Sequence, residues 1–210
     1  TAGSIDINPD DGDRITAIAS HKNELLVFKG PYKGSIHRIT GTSNSTWARS
    51  DFIDGLGCVG PNALFKYGDD LGFIWSDGGI RSLQATAAYG DYSEVTLSRP
   101  LNRWLASRVN KTQLNRATIA VDEGQSLVAF CLPIDGSGTP NTLVVMDYRF
   151  APPRWSWWSS FVDFRYVARV VDSSDNNRPI IMAAGDDGFV YRLERENRSI
   201  NGTAISFKVT

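Results

Sequence analysis

Apolar and polar positions alternate along most of this chain with the two-residue period of β-strands, and helical spacing is scarce. "ELLVFKG" and "GSIHRITG" are apolar runs separated by "GPYKG". "LGFIWSDGGIRSL" predicts two strands around Asp77-Gly78-Gly79, a hairpin turn in which Asp and Gly tolerate positive φ. "SLVAFCLPI" and "NTLVVMDY" flank "DGSGTP", and "PIIMAAGDDGFVYRLE" folds back around Asp187-Gly188. Asn201-Gly202 marks a further turn.

The first strands of these four hairpins centre near Val27, Phe73, Val128 and Ile181, at steps of 46, 55 and 53 residues. Each is preceded by another candidate strand: "RITAIAS", "NALFKYG", "RATIAVDE" and "YVARVVDS". Trp-bearing segments, "STWARSDF" and "RWSWWSSF", follow the first and third hairpins. The implied unit is a strand, a hairpin and an outer strand, and roughly 40 to 50 residues per unit is the period of a β-propeller blade. The fold expected is therefore all-β, with propeller-like repeats of four-stranded antiparallel sheets. The approximate blades are 13–57, 58–97, 113–161 and 164–210. A β-sandwich accounts for the strands but not for their recurring order.

One stretch departs from strand periodicity. Leu101, Trp104 and Leu105 fall at helical spacing in "LSRPLNRWLASRVNKTQLNR", with Ser98 placed as an N-cap and Pro100 in the first turn. A single short helix is predicted near residues 98–108.

With 210 residues, 41% of them hydrophobic, the chain can bury a real core. Its 22 Lys and Arg against 23 Asp and Glu leave a net charge of −1, which argues against affinity gained by coating nucleic acid with positive charge. Cys58 and Cys131 form no CxxC pair and read as two buried thiols. With only His21 and His37 besides, a metal site of imidazole or thiolate is not expected, nor is any cofactor. No apolar run reaches the roughly 20 residues of a membrane-spanning helix. The start on Thr1, without a signal-peptide pattern, and the strand-like close "ISFKVT" suggest a piece of a longer protein.

Candidate chemistry is sparse. Gly55, Gly57 and Gly60 match the dinucleotide fingerprint G-x-G-x-x-G, but such a site needs a helix opening on the glycines to hold the pyrophosphate. Pro61 follows, and then strand-like alternation, so the glycines are expected to carry the chain from one blade to the next. Asp10-Asp11, Asp69-Asp70 and Asp186-Asp187 all adjoin Gly, where Asp is favoured by turn chemistry. No Ser lies in G-x-S-x-G and neither His lies near a candidate nucleophile, so no enzyme activity is expected. The sequons at Asn44, Asn110, Asn197 and Asn201 are read as incidental.

Two clusters stand out as contact surfaces. Arg99, Arg103, Arg108, Lys111 and Arg116 occupy a stretch with no Asp or Glu between Glu94 and Asp122. This is a solvated helix face, or a surface for an acidic partner chain or DNA phosphates. Trp155, Trp157 and Trp158 lie in "FAPPRWSWWSS", with Trp155 and Trp157 on one strand face and Trp158 on the other. They suit packing between blades, or else a platform for a neighbouring subunit or a sugar. The second use would make the chain a carbohydrate-binding or glycan-active propeller.

The order "ITAIASHKNELLVFK", "GSIHRITG", "GLGCVGPNALFKYGDDLGFIWSDGGIRSL", "NTLVVMDYRFAPPRWSWW" resembles the propeller-forming head–tail proteins of tailed bacteriophages, the tail nozzle and packaged-DNA stabilisation type. The matching features are the Leu25–Phe28 strand, the Gly57-Cys58-x-x-Pro61 junction, the Phe73–Ile80 hairpin and the Asp147–Trp155 strand pair. The likeness runs from Ile15 to Trp158 and loosely to Leu193. It implies a virion structural protein of the tail, made in the host bacterial cytoplasm. Such a protein forms a homo-oligomeric ring beside other tail or portal-adaptor proteins, retains the genome and lets double-stranded DNA pass on ejection.

Overall fold

The computed structural model describes residues 3–90, 96–158, 162–174, 176–193, 199–200 and 203–204. The fold is mostly β and every strand pairing is antiparallel. The first sheet is β1 (Arg14–His21), β2 (Glu24–Gly30), β3 (Ser35–Thr40) and β4 (Ala48–Asp54). The second is β5 (Leu64–Tyr67), β6 (Asp70–Ile74) and β7 (Ile80–Ser82). The third is β8 (Thr118–Asp122), β9 (Leu127–Leu132), β10 (Thr142–Asp147) and β11 (Arg154–Trp158). The fourth is β12 (Phe164–Asp172), β13 (Arg178–Gly185) and β14 (Val190–Arg192). A two-stranded ribbon, β15 (Ser199–Ile200) with β16 (Thr203–Ala204), follows. Within each sheet the strands lie side by side in chain order, a simple meander.

The third sheet shows why the strands read as unbroken apolar runs. On β9, Val128, Phe130 and Leu132 face the layer shared with the first two sheets, while Leu127, Ala129 and Cys131 face the fourth. On β10, Val144 and Met146 point to the first layer and Leu143 and Val145 to the second. A sheet covered on both faces has no need of polar alternation, and burying each large side chain contributes about 1.5–3 kcal/mol. The first strands of the second, third and fourth sheets adjoin one another, β5 against β8 and β8 against β12.

The second and fourth sheets have three described strands each, where the repeat predicts four. No described strand pairs with the free edge of β7. Instead Ile80 N–H donates to the Ser98 Oγ at 2.9 Å, and Ser98 N–H donates to the Ile80 carbonyl at 3.2 Å. Wholly buried Ser98 thus satisfies both backbone groups of an edge residue.

Ser98 also takes the predicted N-cap position, with Pro100 in the first turn. It makes no side-chain cap bond to the turn after it; its hydroxyl donates to Asn102 Oδ1 at 2.7 Å. A 3₁₀ turn over Arg99–Leu101 leads into the helix over Asn102–Arg108, here α2, which buries Leu105. An earlier helix, α1 (Leu83–Tyr89), was not predicted and packs on β6, β7 and β4. Ser82 Oγ caps it by accepting from Ala85 N–H, and Gly90 ends it at φ +74°.

Gly55, Gly57 and Gly60 carry the chain from the first sheet to the second. Gly55 turns at φ +80° in open space. Gly57 lies so close to β2 that a Cβ there would sit 1.8 Å from the Lys29 carbonyl oxygen. Only a three-residue 3₁₀ turn, Pro61–Ala63, follows before β5. The Asn201-Gly202 turn lies outside the described residues.

Candidate functional site

The helix that carries Arg103 and Arg108 touches the Trp-bearing strand at one ring stack. Arg99, Arg103, Arg108, Lys111 and Arg116 are all exposed, and α2 lies against β11, the outer strand of the third sheet. Trp104 of α2 stacks on Trp157 of β11 with ring centroids 6.0 Å apart and planes 15° from parallel. The Arg108 guanidinium lies 5.4 Å from the Trp104 ring, so a cation caps a two-ring stack. Sequence spacing placed Trp104 with Leu101 and Leu105 on the apolar side of a short helix, but not among the contact aromatics.

The cations are not equivalent. Arg108 pairs with Asp135 of the β9–β10 loop through two hydrogen bonds, one of them Nε to Oδ1 at 2.8 Å. Those bonds hold Asp135 below the ordinary carboxylate range and raise Arg108 further. Arg116 donates to the Gly138 carbonyl at 2.9 Å. Arg99 and Arg103 make no ion pair with any described residue. An exposed row of this kind attracts phosphate or carboxylate groups at long range, but it presents no buried, fixed donor set of the sort that chemistry needs.

The Trp side chains are half-buried and occupied by protein. Trp155 donates its Nε1–H to the Leu97 carbonyl at 3.1 Å and packs against Phe130 at 5.6 Å. Trp158 points the other way, into the layer between the third and fourth sheets. The alternation expected from sequence holds, and the described contacts of all three rings are with neighbouring elements.

On the outward face of the first sheet is a group the sequence reading passed over. Ser35 Oγ and His37 Nε2 are 2.9 Å apart, and His37 Nδ1 is 2.9 Å from Asp51 Oδ1. A neutral imidazole carrying its proton on Nδ1 satisfies both, donating to Asp51 and accepting from Ser35. This is the connectivity of a Ser-His-Asp triad. Ser35 is only 7% exposed, however, and His37 is fully enclosed. The turn amides of Tyr32, Lys33 and Gly34, just before Ser35, are all bonded to Asp13 at 2.8, 2.9 and 2.6 Å. The group ties β3 to β4, across a bulge between Ile36 and His37 that no sequence pattern announces.

Beside it, Lys29 is 2% exposed and its ammonium donates to Ile7 O at 3.0 Å, Asn8 O at 2.7 Å and Asp11 Oδ2 at 2.5 Å. These bonds strap the N-terminal segment across the sheet, where Ile5 and Ile7 cover Val27 and Ile39.

The paired carboxylates serve local structure. Asp70 accepts from the Leu71 and Gln84 amides at 2.7 and 3.1 Å, from Tyr67 Oη at 3.1 Å and from the Ser82 hydroxyl. Asp11 holds Lys29; Asp186 pairs with Arg165 at 3.2 Å, and Asp187 accepts from the Phe189 amide and the Tyr191 hydroxyl. Among the described residues no three His, Cys, Asp or Glu side chains gather as a metal site, and no helix is long and apolar enough to cross a membrane. Both cysteines are free and buried, and burial pushes each thiol up to about 12. No protein-family model and no curated protein sequence matches this chain.

Proposed function

We propose that the chain is a non-enzymatic structural protein of a tailed-phage virion, a β-propeller that forms part of the tail nozzle or head–tail connector. There it would retain the packaged genome and conduct DNA on ejection. One observation carries the propeller reading: the meander sheets pack through apolar layers, and the first strands of the second, third and fourth sheets adjoin one another. In a propeller these strands lie nearest the axis, and the covered faces make each blade a stiff wedge.

The mechanical role draws support from where the polar groups are spent. Turn carboxylates, the buried Lys29 and the Ser35–His37–Asp51 group all hold backbone or strands in place. The five cations are exposed and Arg108 is already paired with Asp135, an arrangement suited to brief contact with phosphates and not to a firm grip. The resemblance along residues 15–158 supplies the virion context.

Gradient-purified particles from the source phage test this reading. The chain should co-purify with them in fixed stoichiometry, and particles made without it should lose packaged DNA. A chain found only as free protein, with particles intact in its absence, would overturn the reading.

A further inference from the structure

Ser35 and His37 are closed to outside substrates, but the peptide bond that opens β3 lies within their own reach. The Gly34–Ser35 bond joins the exposed Tyr32-Lys33 turn to the strand. Ser35 Oγ, Cβ, Cα and N and the Gly34 carbonyl carbon close a small ring, so covalent connection alone keeps the hydroxyl near that carbon. The hydroxyl donates to His37 Nε2 at 2.9 Å, and His37 donates from Nδ1 to Asp51 Oδ1 at 2.9 Å, which orients the imidazole as a base. Register brings this about: Ile36 pairs with Ile53 and His37 with Asp51, leaving Phe52 as the extra residue of a bulge. Across the bond, the Gly55 N–H donates to the Gly34 carbonyl oxygen at 3.1 Å. The Gly34 amide is held by Asp13 at 2.6 Å, and a Cβ at Gly34 would sit 2.5 Å from the Trp75 ring, so the peptide has little room to move. A nucleophile, a base, an orienting carboxylate and a donor to the carbonyl oxygen converge on one bond.

We infer that the chain cleaves its own Gly34–Ser35 bond, by an N-to-O acyl shift followed by hydrolysis. The Ser35 oxygen attacks the Gly34 carbonyl carbon while its proton passes to His37 Nε2. The charge that develops on the Gly34 oxygen is met by the Gly55 N–H. As the C–N bond breaks, His37 gives the proton to the Ser35 nitrogen, leaving Gly34 joined to Ser35 Oγ as an ester. Water then adds to the ester carbon, and His37 takes a proton from it and passes it to Ser35 Oγ as the C–O bond breaks. One water is consumed, nothing is oxidised or reduced, and the products are a Gly34 carboxylate and a Ser35 amino terminus. Burial does not oppose the shift, because the substrate is already in place, and the turn just before the bond is open to water, with Tyr32 80% exposed. The reaction runs once per chain, without turnover, and is independent of any place in a virion. The β2–β3 ladder, Leu25–Lys29 against Ser35–Ile39, holds the two pieces together after the cut.

Mass spectrometry and denaturing gels on the purified chain, incubated at neutral pH, test this. The wild type should accumulate fragments 1–34 and 35–210, together one water heavier than the intact chain, with Ser35 as the new amino terminus. The fragments should co-elute in native gel filtration and separate under denaturant. Hydroxylamine should speed the cut and leave a hydroxamate on Gly34, the mark of an ester. Ser35→Ala should abolish the cut, Ser35→Cys should restore it through the same shift on a thiol, and His37→Gln should slow it about a hundredfold or more. Unfolding in urea before incubation should stop it. A wild type that stays whole with and without hydroxylamine would overturn the inference. So would a cut at this bond that persists in Ser35→Ala or in the unfolded chain, or a Ser35→Cys chain, folded by circular dichroism, that is as inert as Ser35→Ala.

Discussion

Cys58 and Cys131 illustrate how completely single side chains here are given over to packing. Cys58 Sγ donates to the Gly60 carbonyl at 3.2 Å and Cys131 Sγ to the Phe164 carbonyl at 3.0 Å, and desolvation is the dominant influence on both thiols. With values near 12 against an ordinary 9.0, the thiolate fraction at neutral pH falls roughly a thousandfold. Thiol-reagent kinetics on the native chain should therefore show no fast-reacting group, and two should appear on unfolding; a fast native thiol would contradict the packing described. The glycines make a sharper test. Gly57→Ala forces a Cβ onto the Lys29 carbonyl, with a cost of about 3 kcal/mol or more. Gly55→Ala has open space and meets only the strain of positive φ, about 1–2 kcal/mol. Denaturant melts of the two variants should separate in that order. Equal effects would mean that the close approach of Gly57 to β2 is wrong.

Among elements, the β6–β7 hairpin shows how ion pairs tune a turn. Asp77 is raised by burial, but the Arg81 hydrogen bonds and charge, the Gly79 amide and Lys111 together outweigh that and hold it below the ordinary range. Folded Asp77 therefore binds its proton at lower pH than unfolded Asp77 does. The stability it contributes is complete above the ordinary carboxyl value, near pH 4, and is lost as pH falls through the lower folded value. Asp77→Asn should lose roughly 1 kcal/mol at neutral pH, a small effect because the carboxylate is half exposed. Its acid unfolding profile should also be shallower than the wild type's; an unchanged profile would remove Asp77 from the account.

Elements were also where the sequence was most and least legible. Turn residues such as Asp77-Gly78-Gly79 and unbroken runs such as "LVAFCL" located the hairpins correctly, because turn chemistry and two-sided burial both leave local marks. Helix α1 carried marks as well, Ser82 before an Ala-rich run and Gly90 after it, but they were overshadowed by the strand pattern just before them. Ser98 has the residue type of a helix cap, and only the free edge of β7, far back in the chain, makes it an edge partner instead. The Ser35–His37–Asp51 group depends on register across a bulge, and the Arg108–Trp104–Trp157 stack on which helix meets which strand. Those are tertiary facts that local spacing does not encode.

At the scale of the whole molecule, the four larger sheets are joined by two apolar layers, with polar groups spent on turns, straps and pairings. The proposed place for it is the tail axis of a virion. Electron microscopy of purified particles labelled with an antibody against this chain measures that directly. The account predicts label confined to the tail, at a ring of fixed copy number around its axis. Label scattered over the capsid, or particles that carry none, would contradict it.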